Sequence, residues 1–190
     1  MSGKAAYHWD MHQIERYRAE LAKLRWSTES SEFPSGLFGV EFVAACPLDP
    51  CVVLERIRDI LETVDNAALA DWPMLEQWRK LLPQWFLDAS PNEPTEDEAR
   101  NYLERWRTMS DEDQAVEDCN RPWPLAAWLY WLTPENRQCF FGDAKSEPEI
   151  RQIAMVVLVE GWPVPWGALR WLFKAAGAST IYPAIGTASR

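Results

Sequence analysis

The sequence predicts an α+β fold, mostly α, with about six helices packed against a small antiparallel sheet. Three observations carry that expectation. Apolar residues recur at helical spacing through most of the chain, and capping phrases and prolines divide it into segments of helix length. Two stretches break the pattern. A hairpin is expected at about 138–160, and a further strand at about 37–45 is expected to pair with it, leaving the helices on one face.

The elements follow in order. Within the N-terminal amphipathic segment 1–26, residues 8–26 read as a helix, with Ile14, Tyr17, Leu21 and Leu24 at a/d spacing and Met11 on the same side. Two heptads are too few for a coiled coil, so this helix should pack on the body or on a partner. The polar stretch STESSEFPSG at 27–36 is a loop. In Leu37–Ala45, Phe38, Val40 and Phe42 alternate at period two.

Asp49-Pro50 supplies an N-cap followed by proline at the first helical position, and Val53, Leu54, Ile57, Ile60, Leu61 and Val64 then form one apolar stripe. A further helix runs from about Pro73 to Leu82, where Pro83 ends or kinks it, and another turn carries Trp85, Phe86 and Leu87. Thr95 with Glu98 forms a capping box for a helix over about 96–108, and Ser110 with Asp113 opens a short acidic one. Pro124–Leu132 is a compact apolar helix. Gln138–Ala144 and Ile150–Glu160 are the arms of the hairpin, turned at KSEPE. A last helix, about Trp166–Ala176, ends at Gly177. The tail 178–190 has no periodicity and is expected to be loose. The whole of 1–190 is expected to form one domain.

Composition narrows the function. The longest apolar run, Ile153–Val159, falls far short of the roughly 20 residues that cross a bilayer. Residues 1–26 hold no apolar signal core, so a reducing cytoplasm is the expected compartment, with Cys46, Cys51, Cys119 and Cys139 as free thiols. A formal charge of −10 argues against direct nucleic-acid binding, because phosphates repel an acidic surface.

Recognisable catalytic phrases are missing: no phosphate-binding glycine loop, no G-x-S-x-G and no H-E-x-x-H. His8 and His12, four apart and followed by Glu15, read as solvated residues rather than a metal clamp. Cys46 and Cys51 in CPLDPC have a spacing too wide for the common zinc pair and read as packing residues. No cofactor is expected, and the reading leans away from an enzyme. Twelve tryptophans are the compositional oddity, ten of them between Trp72 and Trp171. Three lie in the same phrase, at Trp72-Pro73, Trp123-Pro124 and Trp162-Pro163. Trp78, Trp85, Trp106, Trp128, Trp131 and Trp171 fall on or beside apolar helical faces, so core is the expected role for most.

The charge is unevenly spread. Segments 1–26 and 121–190 each carry +2, whereas 27–90 and 91–120 each carry −7. It is densest in DEDQAVED, where Asp111, Glu112, Asp113, Glu117 and Asp118 are candidate partner-binding residues on one short helix. Such a one-sign surface steers a basic protein toward it. The expected function is therefore a non-catalytic inhibitor or antitoxin domain. In general character the chain is similar to small acidic immunity proteins that neutralise toxins, a likeness of composition rather than of motif. Two alternatives stand beside it: a binder or enzyme with a Trp-lined pocket, and a scaffold protein that self-assembles through the N-terminal helix.

Overall fold

The computed structural model describes residues 11–26, 34–161 and 163–184. Among these, eight α-helices and four strands follow in the order α1 (Met11–Trp26), β1 (Phe38–Ala45), α2 (Pro50–Ala68), α3 (Leu75–Leu81), α4 (Gln84–Ala89), α5 (Glu96–Thr108), α6 (Asp111–Asn120), α7 (Leu125–Tyr130), β2 (Cys139–Glu147), β3 (Gln152–Val159), α8 (Gly167–Ala176) and β4 (Thr180–Pro183). The α+β class holds, and the helices are more numerous than expected because the turn after Pro83 is a helix of its own. None of the helices among the described residues is long and apolar enough to cross a membrane.

The sheet is antiparallel in the order β2-β3-β1-β4. The expected pairing is present: Phe38–Ala45 runs beside Val159–Gln152, and the 139–159 hairpin completes the other side. Its turn lies later than KSEPE suggests. Lys145, Ser146 and Glu147 still pair with Ala154, Ile153 and Gln152, and the chain reverses through a 3-10 turn at Pro148–Ile150 and a left-handed Arg151. Proline has no amide hydrogen to extend the ladder, so reversal begins there. Gly142 is left out of the pairing at a bulge between Phe141 and Asp143, where a Cβ would lie 2.9 Å from the Val156 carbonyl oxygen.

One tail expectation is corrected. Thr180–Pro183 is not loose but forms β4 on β1, with Ile181 7% exposed, and Ser179 and Ala184 N–H donate to the carbonyls of Ala45 and Glu41. A four-residue strand with one inward apolar residue is too short to leave a periodic signal. Proline at its end is tolerated because β4 is an edge strand.

Phe42 and Ala44 of β1, Ile153, Met155, Val157 and Val159 of β3, and Phe141 of β2 pack into one core with α2 and α8. The apolar stripe of α2 is buried as its spacing requires. Asp49 accepts from the Cys51 N–H at its start, and Gly177 ends α8 in the left-handed conformation. Exposed Glu41, Asp143 and Lys145 mark the other face of the sheet, which is covered only at one end, where Phe140 and Leu158 form a second buried cluster with Tyr17 and Ala68. α1 lies beside β2, its Tyr17, Leu21 and Leu24 buried, and Tyr17 meets Phe140 edge-on at 5.6 Å. The C-terminal part of its apolar stripe is thus used within the chain, whereas Met11 is exposed.

The tryptophans divide. Trp78, Trp128 and Trp171 are core, and the Trp128 Nε1–H donates to the Ala168 carbonyl at 3.0 Å. Trp85 and Trp106 are half-buried, and Trp131 is 36% exposed, so the last does not join the core as expected. Trp72 packs on the helix that follows it, its ring 4.9 Å from that of Trp78. Trp123 instead lies on the start of α8, and Trp162 is outside the described residues.

Candidate docking face and the buried charge cluster

All five acidic residues singled out by sequence lie on α6, but the fold gives them different surroundings. Asp111, Glu112 and Asp113 occupy the exposed first turn, where helix dipoles favour anions. The Ser110 hydroxyl donates to Asp113 at 2.8 Å and accepts from the Asp113 N–H at 3.2 Å. Glu117 is half-buried and paired with Arg105 of α5 at 3.3 Å. Asp118 points away from this set and lines an aromatic groove.

Helices α5 and α6 form a hairpin with no buried residue. The Thr95 N–H and hydroxyl both donate to Glu98, which holds that carboxyl below its usual range. Gln114 Nε2 donates to the Trp106 carbonyl across the hairpin at 2.9 Å. Its hold on the body is polar: Arg170 of α8 donates to the Asp118 carbonyl at 2.7 Å and to Cys119 Sγ at 3.1 Å, and Lys174 donates to the Cys119 carbonyl. Ten acidic and three basic residues between 91 and 120 thus sit on a solvated excursion.

The groove lies between this hairpin and the start of α7 and α8. It comprises two concavities of about 360 and 420 Å³ that share Asp118, Trp123 and Trp131. Tyr102 lines one and Trp166 the other. Gly167 makes room for Trp123: a Cβ there would stand 2.9 Å from its ring. The sequence signal for this groove was the Trp123-Pro124 phrase, but no spacing links Tyr102 to Trp166 before the chain folds.

A second charge cluster was missed altogether. Arg137, Glu20 and Asp65 are buried, their side chains 1%, 1% and 0% exposed. Arg137 Nη2 donates to both oxygens of Glu20 at 2.7 Å, Nη1 donates to Asp65 Oδ1 at 2.5 Å, and Nε donates to the Cys139 carbonyl at 3.0 Å. The Phe141 N–H donates to Glu20 Oε1 at 2.5 Å, so α1 supplies an acceptor to the edge of β2. The guanidinium also lies over the rings of Phe140 and Tyr17, at 5.0 and 5.4 Å.

Burial raises both carboxyls above their ordinary values, and Arg137 opposes the rise. One guanidinium can neutralise only one of the two carboxylates, so burial works against both being ionised together. Burial also pushes the Tyr17 hydroxyl up and the Cys139 thiol to about 12. The cavity beside the cluster measures about 30 Å³, room for no more than about two waters and too small for a substrate. The signal for it was present: Asp65 falls on the stripe of Leu61, Val64 and Ala68, and Glu20 on that of Tyr17, Leu21 and Leu24.

The remaining candidates are dispersed. His12 is exposed near Glu15, 3.9 Å away, and His8 lies outside the described residues. Cys46 is buried, and its thiol is raised by burial, whereas Cys51 is exposed beside the Ser146 hydroxyl at 3.3 Å. Among the described residues no three His, Cys, Asp or Glu side chains gather to hold a metal. No family model matches the chain, and no curated protein or solved structure does either.

Proposed function

We propose that this chain is a non-catalytic protein-binding domain of the inhibitor or antitoxin kind, which docks on a basic partner protein through the α5–α6 hairpin. One observation carries the reading: the densest acidic stretch of the sequence lies on α6, which with α5 forms a hairpin holding no fully buried residue. A charge set that stabilised the fold would be paired or enclosed. Here Asp111, Glu112 and Asp113 stand at a helix start facing solvent, where a one-sign field accelerates encounter with a partner of opposite sign. The missing catalytic phrases fit an agent that acts by covering its target.

The test begins with affinity capture from native lysate at low and at roughly 0.5 M salt, which shortens the Debye length to a few ångströms. Association of the captured basic protein is then measured with wild type and with a Glu112→Lys, Asp113→Lys, Glu117→Lys variant. A fall in on-rate of roughly tenfold or more is expected. An unchanged on-rate would sink the proposal.

The aromatic groove favours a second reading, a small-molecule binder with a Trp-lined pocket. Metabolite-dependent changes in Trp fluorescence, accompanied by a higher melting temperature, are its signature.

A further inference from the structure

We infer that the groove beside α6 seats a guanidinium or ammonium side chain of the partner, placed against the Trp123 and Trp131 indoles and reaching the Asp118 carboxylate. This rests on the docking reading above and names the chemistry of its anchor point.

The polar groups of the groove decide what it can take. Three charged side chains line it: Asp118, Arg121 and Arg170. Both arginines are already engaged. Arg121 stacks on Tyr102 with its guanidinium carbon 3.4 Å from the ring centroid, while Arg170 lies over Trp166 at 5.1 Å and donates to the end of α6. The Asp118 carboxylate, by contrast, makes no hydrogen bond or ion pair with any described residue. Among the described residues, the charged group common to both concavities is therefore an unpaired anionic acceptor between aromatic walls.

An anionic ligand would meet that carboxylate with like charge. A neutral apolar one would desolvate it without giving a donor. A cation gains from the carboxylate and from the ring quadrupoles together. Arginines on Tyr102 and Trp166 show that rings at both ends of the groove already accept guanidinium faces. Arg121 and Arg170 oppose a third cation, but the net −7 of residues 91–120 outweighs them in the surrounding field. Leu103 and Tyr130 favour a protein-borne cation over a free one. They are 52% and 57% exposed, Leu103 in the groove wall and Tyr130 edge-on to Trp131 at 5.6 Å, and a polypeptide covers such surface while a small ion leaves it wet.

The test uses the full chain and a fluorescein-labelled Gly-Arg-Gly-Arg-Gly peptide, read by anisotropy at low salt, with tetramethylammonium chloride as competitor. Asp118→Asn and Trp131→Leu should each weaken peptide binding by roughly tenfold. Both should leave the circular dichroism spectrum unchanged, since neither side chain is in the core. Tetramethylammonium should displace the peptide only at far higher concentration. If wild type fails to bind the peptide, or binds it as tightly as both variants do, the groove is not the anchor. The docking reading then still stands or falls on the on-rate of the Lys-reversal variant with the captured protein. Displacement by tetramethylammonium at the peptide's own affinity would overturn the partner side chain in favour of a free small cation.

Discussion

Two groups of carboxylates in this molecule are put to opposite use. On α6 they stand toward water, on a hairpin that holds no fully buried residue. At the junction of α1, α2 and β2, Glu20 and Asp65 share one guanidinium out of reach of water. The same functional group steers in one place and fixes structure in the other. Solvent makes the difference: high dielectric weakens any one pairing on the hairpin but leaves its summed field to act at a distance, whereas burial makes each missing partner expensive. The buried cluster therefore ought to dominate stability, and the hairpin association.

Removing the shared cation breaks that comparison most sharply. Arg137→Met leaves two buried carboxyls with no positive partner and should lower stability by about 3–5 kcal/mol, read from the urea midpoint. A result near zero would mean that α1 is held by its apolar contacts and the cluster is incidental.

The pH dependence comes next. A carboxyl raised in the folded state binds its proton more tightly there than in the unfolded chain. Its stabilising contribution is full below the ordinary carboxyl value of 4.5 and is lost as pH rises through the raised value of the pair. The slope reaches about 1.4 kcal/mol per pH unit for each proton. Glu20→Gln keeps the shape of the protonated acid, so subtracting its stability–pH curve from that of wild type should leave a decline toward alkaline pH. A flat difference curve would show that the pair holds no extra proton.

Smaller effects belong to the exposed region. Ser110→Ala removes the cap that accepts from the Asp113 N–H and should cost about 1 kcal/mol, visible as faster amide exchange in α6 while the sheet is unaffected. Reversing Glu112 and Asp113 to lysine should change global stability least, within about 0.5 kcal/mol by urea titration. A larger loss would erase the distinction between a steering surface and a structural one.

Local pattern and local chemistry account for what could be read from the chain beforehand. The α2 stripe, the Asp49-Pro50 start, the Thr95 and Ser110 caps, the Gly177 stop and the alternation in 37–45 each depend on residues within a few positions of one another. So does the acidity of 111–118, which needs only that the helix not be buried. Sequence determined these because neighbours along the chain are neighbours in space at any stage of folding. Even there the limit is length, as β4 shows: four residues hold too little alternation to register.

Tertiary structure alone decided which charges meet. Glu20, Asp65 and Arg137 are separated by 45 and 72 positions along the chain, and only the docking of α1 against α2 and β2 brings one guanidinium between two carboxylates. The same holds for Trp131, whose place on a short apolar helix suggested core but whose ring ends in the wall of a groove beside Asp118. Periodicity specifies which face of an element turns inward. It does not specify what stands opposite, and that opposing surface is what turns an acidic residue into a buried cross-link or an open anchor.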